Sequence, residues 1–170
     1  HQSHIRRAVF QQPCGKPGRR YGKEFSGTLV FSTYTGSTAD NWGFTATYDN
    51  AGNAFGGGIA FATGYPTSTG AYQINYAGGA CDIAVSKFNA SGSHLLFSTY
   101  IGGNFSEQPH SLVCNRNGEL YIFGTTSSFN FPTTANAFQN QFQGGTNLNL
   151  SNSINYGNGS DIVIVKLNNT

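Results

Sequence analysis

The fold class predicted by the 170-residue sequence is all-β, in β-propeller blades of four antiparallel strands each. Three observations predict it. The chain repeats itself, it is poor in charge and in helix formers, and it alternates short apolar runs with Gly- and Asn-rich turns. Leu29-Val30-Phe31-Ser32-Thr33-Tyr34-Thr35-Gly36 returns as Leu95-Leu96-Phe97-Ser98-Thr99-Tyr100-Ile101-Gly102, six identities in eight positions at an offset of 66. Tyr65-Pro66-Thr67 and Ala71-Tyr72-Gln73 return as Phe131-Pro132-Thr133 and Ala137-Phe138-Gln139 at the same offset. Asp82-Ile83-Ala84-Val85-Ser86-Lys87-Phe88-Asn89 reappears as Asp161-Ile162-Val163-Ile164-Val165-Lys166-Leu167-Asn168, now 79 apart, so the second copy carries about thirteen extra residues between Gln139 and Asp161. A fixed internal period signals a solenoid, an array or a propeller.

Charged residues are only 9% of the chain, beside 23 Gly, 14 Phe and 9 Tyr. An apolar share of 38% with 14% aromatic is too high for a disordered chain, because that much aromatic surface offsets the ordering entropy. The first copy predicts strands near 28–34, 44–49 and 53–61. The second predicts strands near 83–88, 95–100, 110–115 and 120–125, and a last strand covers 162–167. Turns fall at 49–53, 89–93 and 115–118, where Asn-Gly and Ala-Gly steps supply the positive φ of a tight hairpin. Four antiparallel strands per unit of this length is a propeller blade. A parallel β-helix needs shorter coils, and an immunoglobulin-type sandwich does not repeat internally at this distance.

This divides the chain into a basic leader or linker at 1–26 and a partial propeller at 27–170, with repeat copies at about 29–94 and 95–168. Six of the nine basic side chains lie in residues 1–23 (Arg6, Arg7, Lys16, Arg19, Arg20, Lys23) with no acid, and the chain from Glu24 onward carries a formal −4. The leader lacks aromatic interleaving and an amphipathic pattern, so no nucleic-acid partner is expected. No apolar run is long enough to span a bilayer, so no membrane insertion is expected. Cys14, Cys81 and Cys114 form no CxxC spacing, which argues against zinc; a buried free thiol is the reading for Cys114, with a Cys81–Cys114 bridge as the alternative.

No catalytic set stands out, and neither a cofactor nor a metal site is expected. Asp82 and Asp161 hold the same place in successive copies, each followed five residues later by a lysine, Lys87 or Lys166. A repeated position predicts a structural role, such as an Asp holding a turn or bonding a neighbouring blade. His94 and His110 lack Ser-Asp or Cys partners at a recognisable spacing. Gly56-Gly57-Gly58 has no Lys-Ser/Thr after it and reads as a bulge or close packing rather than a phosphate loop. The 49–53 turn lacks the acid density of a calcium loop. Carbohydrate binding is the strongest functional rival, with Trp42, Tyr76 and Phe105 as candidate ligand-binding aromatics in predicted loops. Trp42, the single tryptophan, has no aromatic counterpart in the second copy, where Gln108 stands.

The succession Asp-Ile-x-x-x-Lys-Phe-Asn-x-x-Gly-Ser, Leu-x-Phe-Ser-Thr-Tyr-x-Gly-Gly, a turn with Asn-Gly, and Phe-Pro-Thr-Thr-x-x-Ala-Phe-Gln resembles the bacterial SBBP β-propeller repeat. The match runs almost without a break through residues 82–139 and more loosely through 29–73 and 161–168. Such proteins are large, secreted or surface-exposed and bacterial, and accompany gliding-motility and adhesin-like modules with type IX secretion. The resemblance implies a secreted or cell-surface location and a non-catalytic structural or adhesive role. Thr35-Gly36-Ser37 departs from Ile101-Gly102-Gly103, the segment 144–159 interrupts the second copy, and no type IX sorting domain is seen. A chain of this length supplies two complete blades and part of another, an incomplete ring. Its expected partners are the remaining blades of a longer propeller or other copies of the chain, with a cell-surface glycan or protein as ligand. The alternatives are an oligomeric lectin-like propeller and a fragment of a propeller hydrolase.

Overall fold

A computed structural model describes residues 27–149 and 154–169, so the leader expected at 1–26, and Cys14 with it, lies outside the described residues. Among the described residues every regular element is a strand: β1 (Asn41–Tyr48), β2 (Ala54–Ala60), β3 (Asp82–Phe88), β4 (Leu95–Ile101), β5 (Glu107–Cys114), β6 (Leu120–Thr126), β7 (Leu148–Asn149), β8 (Asn155–Tyr156) and β9 (Asp161–Leu167). They form antiparallel sheets in the orders β1-β2-β3-β4, β5-β6-β9 and β7-β8.

Turn chemistry sets the hairpins. Asp49 Oδ1 accepts the amides of Ala51 and Asn53 between β1 and β2, with Gly52 at φ 80°. Asn115 Oδ1 accepts those of Asn117 and Glu119 between β5 and β6, with Gly118 at φ 78°. A short polar side chain bonding its own backbone two to four residues on fixes such a turn, and glycine supplies the left-handed residue. The two sheets are one plan used twice. β5 and β6 follow β1 and β2 by 66 residues, β9 follows β3 by 79, and the register slips once in each first hairpin, between Gly43 and Thr45 and between Pro109 and Ser111. At these bulges the backbones crowd. A Cβ on Gly58 would collide with the Trp42 carbonyl, and one on the equivalent Gly124 with the Gln108 carbonyl.

Two expectations are corrected. Residues 28–34 form no strand, and Leu29, Val30 and Tyr34 are exposed. Their near-copy in β4 is held by β3 on one side and on the other by the 68–73 segment, through Ser68 N to Ser98 O and Tyr100 N to Gln73 O. Residues 28–34 find no such partners among the described residues, and an apolar run becomes a strand only where it has a ladder to join. The described residues therefore hold one four-stranded and one three-stranded sheet in place of two complete blades. The extra segment of the second copy carries the β7-β8 hairpin.

The main core lies between the sheets. Phe55, Ile83, Val85 and Ile101 of the first face Leu112, Leu120, Ile122 and Phe131 of the second, with Val163, Val165 and Leu167 beside them. Burying each such side chain contributes about 1.5–3 kcal/mol. Gly57 is the socket of this contact: the Leu112 side chain occupies the space where its Cβ would stand. On the other face of the first sheet Ala60, Tyr65, Ala84 and Tyr100 cluster, with Tyr76 against them.

Candidate functional site

The first sheet buries one face against β5, while its other face, beside the Tyr65–Tyr100 cluster, holds an open trough of about 430 Å³ lined by Gly56, Gly58, Ala84, Ser86, Trp42 and Phe44. Its shape follows from the repeat. In the second sheet the corresponding face carries Leu112, Ile122, Val163 and Val165, which fill the inter-sheet core. In the first, those positions hold Ala46, Gly56, Ala84 and Ser86. Small residues where the second copy has large ones leave a trough. Trp42 is half-exposed, at 50%, and meets Phe61 edge-to-face with centroids 4.8 Å apart.

The three candidate aromatics do not converge. Tyr76 is half-buried against Tyr100 and donates its hydroxyl to the Gly79 carbonyl at 2.9 Å. Phe105 stands apart in an edge-to-face ladder with Phe129 and Phe142. Of the three, only Trp42 lines the trough, and it stands in β1 rather than in the loop expected for it.

The repeated charged positions all have structural partners. Lys87 Nζ lies 3.0 Å from Asp49 Oδ2 and 4.9 Å from the centre of the Phe55 ring. Lys166 pairs with Glu119 and sits over Tyr121, the counterpart of Phe55. The acid has moved within the turn, because Asp49 and Asn53 become Asn115 and Glu119, and the Asn–carboxylate hydrogen bond is kept in both. Burial works against the Asp49 charge, yet hydrogen bonds from Asn53 and Lys87 outweigh it and hold its carboxyl at about 2. Asp161 Oδ2 accepts the Gln143 amide, as Asp82 Oδ2 accepts that of Ala77, 66 residues earlier.

Asp82 and Glu107 form a pair that sequence reasoning missed. Both are fully buried. Glu107 accepts hydrogen bonds from Thr126 Oγ1 and Ser128 Oγ, each at 2.6 Å, and from the Gly103 amide at 3.0 Å. Asp82 Oδ1 has no donor among the described residues and shares the space above Gly102 with Glu107 Oε2. Burial and then the neighbouring Glu107 charge push Asp82 up to about 7, and burial raises Glu107 as well. Three donors around Glu107 favour its charged form and leave the proton of the pair to Asp82. The two acids are 25 residues apart at unrelated repeat positions, so no spacing announced them; the only available signal was that Glu107 stands where the first copy has Asn41.

Cys81 and Cys114 are both free thiols, so the alternative bridge is absent, and Cys114, expected to be buried, is only partly so. Cys81 is buried, donates to the Glu107 carbonyl at 3.3 Å, and has its thiol pushed up to about 12, chiefly by burial. Among the described residues no group of three His, Cys, Asp or Glu is placed to hold a metal ion, and no helix is long and apolar enough to cross a membrane. Compared with known proteins, the chain matches no family model and no curated protein.

Proposed function

We propose that the chain is a non-catalytic, structural or adhesive β-propeller module of the SBBP type, from a secreted or cell-surface bacterial protein. The observation that carries this reading is that the two sheets are one unit used twice, with register, bulge and turn chemistry alike, and stacked face to face. Blades of a propeller stack in that way. The acids support it too. Asp49 and Glu119 are paired with lysines, Asp161 holds a loop amide, and Asp82 and Glu107 are sealed from solvent, which leaves them no access to a substrate. The test is localisation on intact bacteria that produce the protein. Protease shaving releases its peptides and removal of the gene lowers attachment to surfaces; a protein found only inside the cell overturns the reading.

A lectin-like role is the second reading, favoured by the half-exposed indole of Trp42 at the rim of the trough. An aromatic face with hydroxyl and amide groups beside it suits a sugar ring. Binding on a glycan array that disappears with Trp42→Ala, with the fold kept, supports it, and binding unaffected by that change overturns it.

A further inference from the structure

We infer that a second copy of this chain docks head to tail on the second sheet, its residues 29–35 completing that sheet as a fourth strand and its first-sheet trough covering the exposed face. The stacking order rests on the propeller reading above, while the register comes from the repeat alone.

The edge comes first. β9 pairs with β6 on one side and with no strand among the described residues on the other, and Ile162 and Ile164 are 80% and 67% exposed. In the first sheet the same edge, that of β3, carries β4. A cavity of about 700 Å³ runs along β9, walled by Pro132, Thr133, Thr134 and Gln139, the counterparts of the segment that covers the outer side of β4. Residues 29–36 match β4 in six positions of eight and pair with no strand among the described residues. Shifting the β3-β4 register by the two repeat offsets sets Thr35 opposite Ile162, Tyr34 opposite Val163, Thr33 opposite Ile164, Ser32 opposite Val165 and Phe31 opposite Lys166. An open edge beside a strand that lacks one is a template for pairing between chains.

The faces fit independently. Inside the chain the knob is Leu112 and the socket is Gly57. On the two open faces the equivalent positions are Ala46, in the trough, and Phe123, on the exposed face of the second sheet. The bulk has changed sides, with Leu against Gly inside the chain and Ala against Phe between copies. A large residue facing a small one keeps the filled volume nearly constant, and protein interiors tolerate such an exchange best. The hydroxyl beside the knob is kept, since Thr45 Oγ1 accepts the Leu112 amide and Ser111 stands at the position of Thr45. The contact is heterologous, so its repetition closes a ring or extends a row.

The test uses the full chain. Two preparations distinguishable by mass, one with Thr33→Cys and the other with Ile164→Cys, are mixed and oxidised, and the linked peptides are read by mass spectrometry. A 33–164 bond between unlike chains is expected, with loss of the bond when Val163→Cys replaces Ile164→Cys, because neighbouring strand residues point to opposite faces. In parallel, light scattering follows self-association. Ala46→Leu, which sets Leu against Phe123, abolishes association, and adding Phe123→Gly restores it by recreating the internal pair. Bonds found only within one chain, or association indifferent to Ala46→Leu, overturn the inference. Copies that stay apart while a peptide of residues 29–36 protects β9 amides from exchange also overturn it, yet leave the propeller reading standing, since the edge then takes its strand from another source.

Discussion

Asp82 and Glu107 meet over the Cα of Gly102, one carboxyl from each sheet and both shut off from solvent. Asp82 is raised by burial from 3.8 to about 7. Between about pH 4 and pH 7 the folded protein therefore keeps a proton that the unfolded chain has released. The stability contributed by the pair declines as pH rises through that window and levels off above it. Asp82→Asn supplies a permanent donor to Glu107 and still accepts the Ala77 amide. It is expected to flatten this slope and to raise stability at pH 8 by about 1–2 kcal/mol. Urea unfolding at pH 5 and pH 8 measures both, and an unchanged slope in the variant rules the shared proton out.

Adjacent glycines differ in what surrounds them. A Cβ on Gly58 meets backbone, the Trp42 carbonyl, whereas one on Gly57 meets the movable end of Leu112. Gly57→Ala is expected to destabilise by about 1–2 kcal/mol and Gly58→Ala by about 3 kcal/mol or more. Thermal unfolding of the two variants ranks them.

Lys87 and Lys166 repeat in sequence but not in burial: the Lys87 and Asp49 side chains are 12% and 8% exposed, and Lys166 is 48% exposed. Lys87→Met leaves a buried acid without its partner and is expected to cost about 2–3 kcal/mol, since Asn53 and two backbone amides still hold it; Lys166→Met is expected to move the midpoint far less. Asp49, held at about 2 when folded, contributes stability above about pH 4 that is lost as pH falls towards 2. Asp49→Asn lowers stability, and Asp49→Asn with Asn53→Glu recovers part of it by adopting the arrangement of the second turn.

Cys81 lies buried with its thiol held protonated, so alkylation at pH 8 is expected to leave it unmodified until the protein is unfolded. Mass spectrometry after a short alkylation pulse, with and without denaturant, reads this directly. Rapid labelling in the folded state contradicts the burial.

The strands were legible because each repeated block carries its own turn: Asp49 to Asn53, Asn89 to Ser93 and Asn115 to Gly118 all bend the chain where their side chains bond their own backbone. Residues 28–34 were misread for the opposite reason. Their sequence matches β4, but a strand depends on a partner that no local pattern reports. Trp42, Tyr76 and Phe105 looked alike as loop aromatics, and only the tertiary placement of Tyr100, Phe61 and Phe129 separates them. The exchange of Leu112 and Gly57 for Ala46 and Phe123 was present in the sequence all along, yet acquires meaning only when the faces are known.

The polypeptide crosses from β4 to β5 in five residues, 102–106, and the crossing is clamped at both sides by the Asp82–Glu107 pair and the Gly103 amide. Modular chains of stacked repeats can melt piece by piece, each unit at its own midpoint. Here the outer strand of one sheet cannot peel away without breaking the Gly103 amide's bond to a buried carboxylate of the other. The two sheets are consequently expected to share a single melting event, with the two together as the smallest unit gained or lost as a whole.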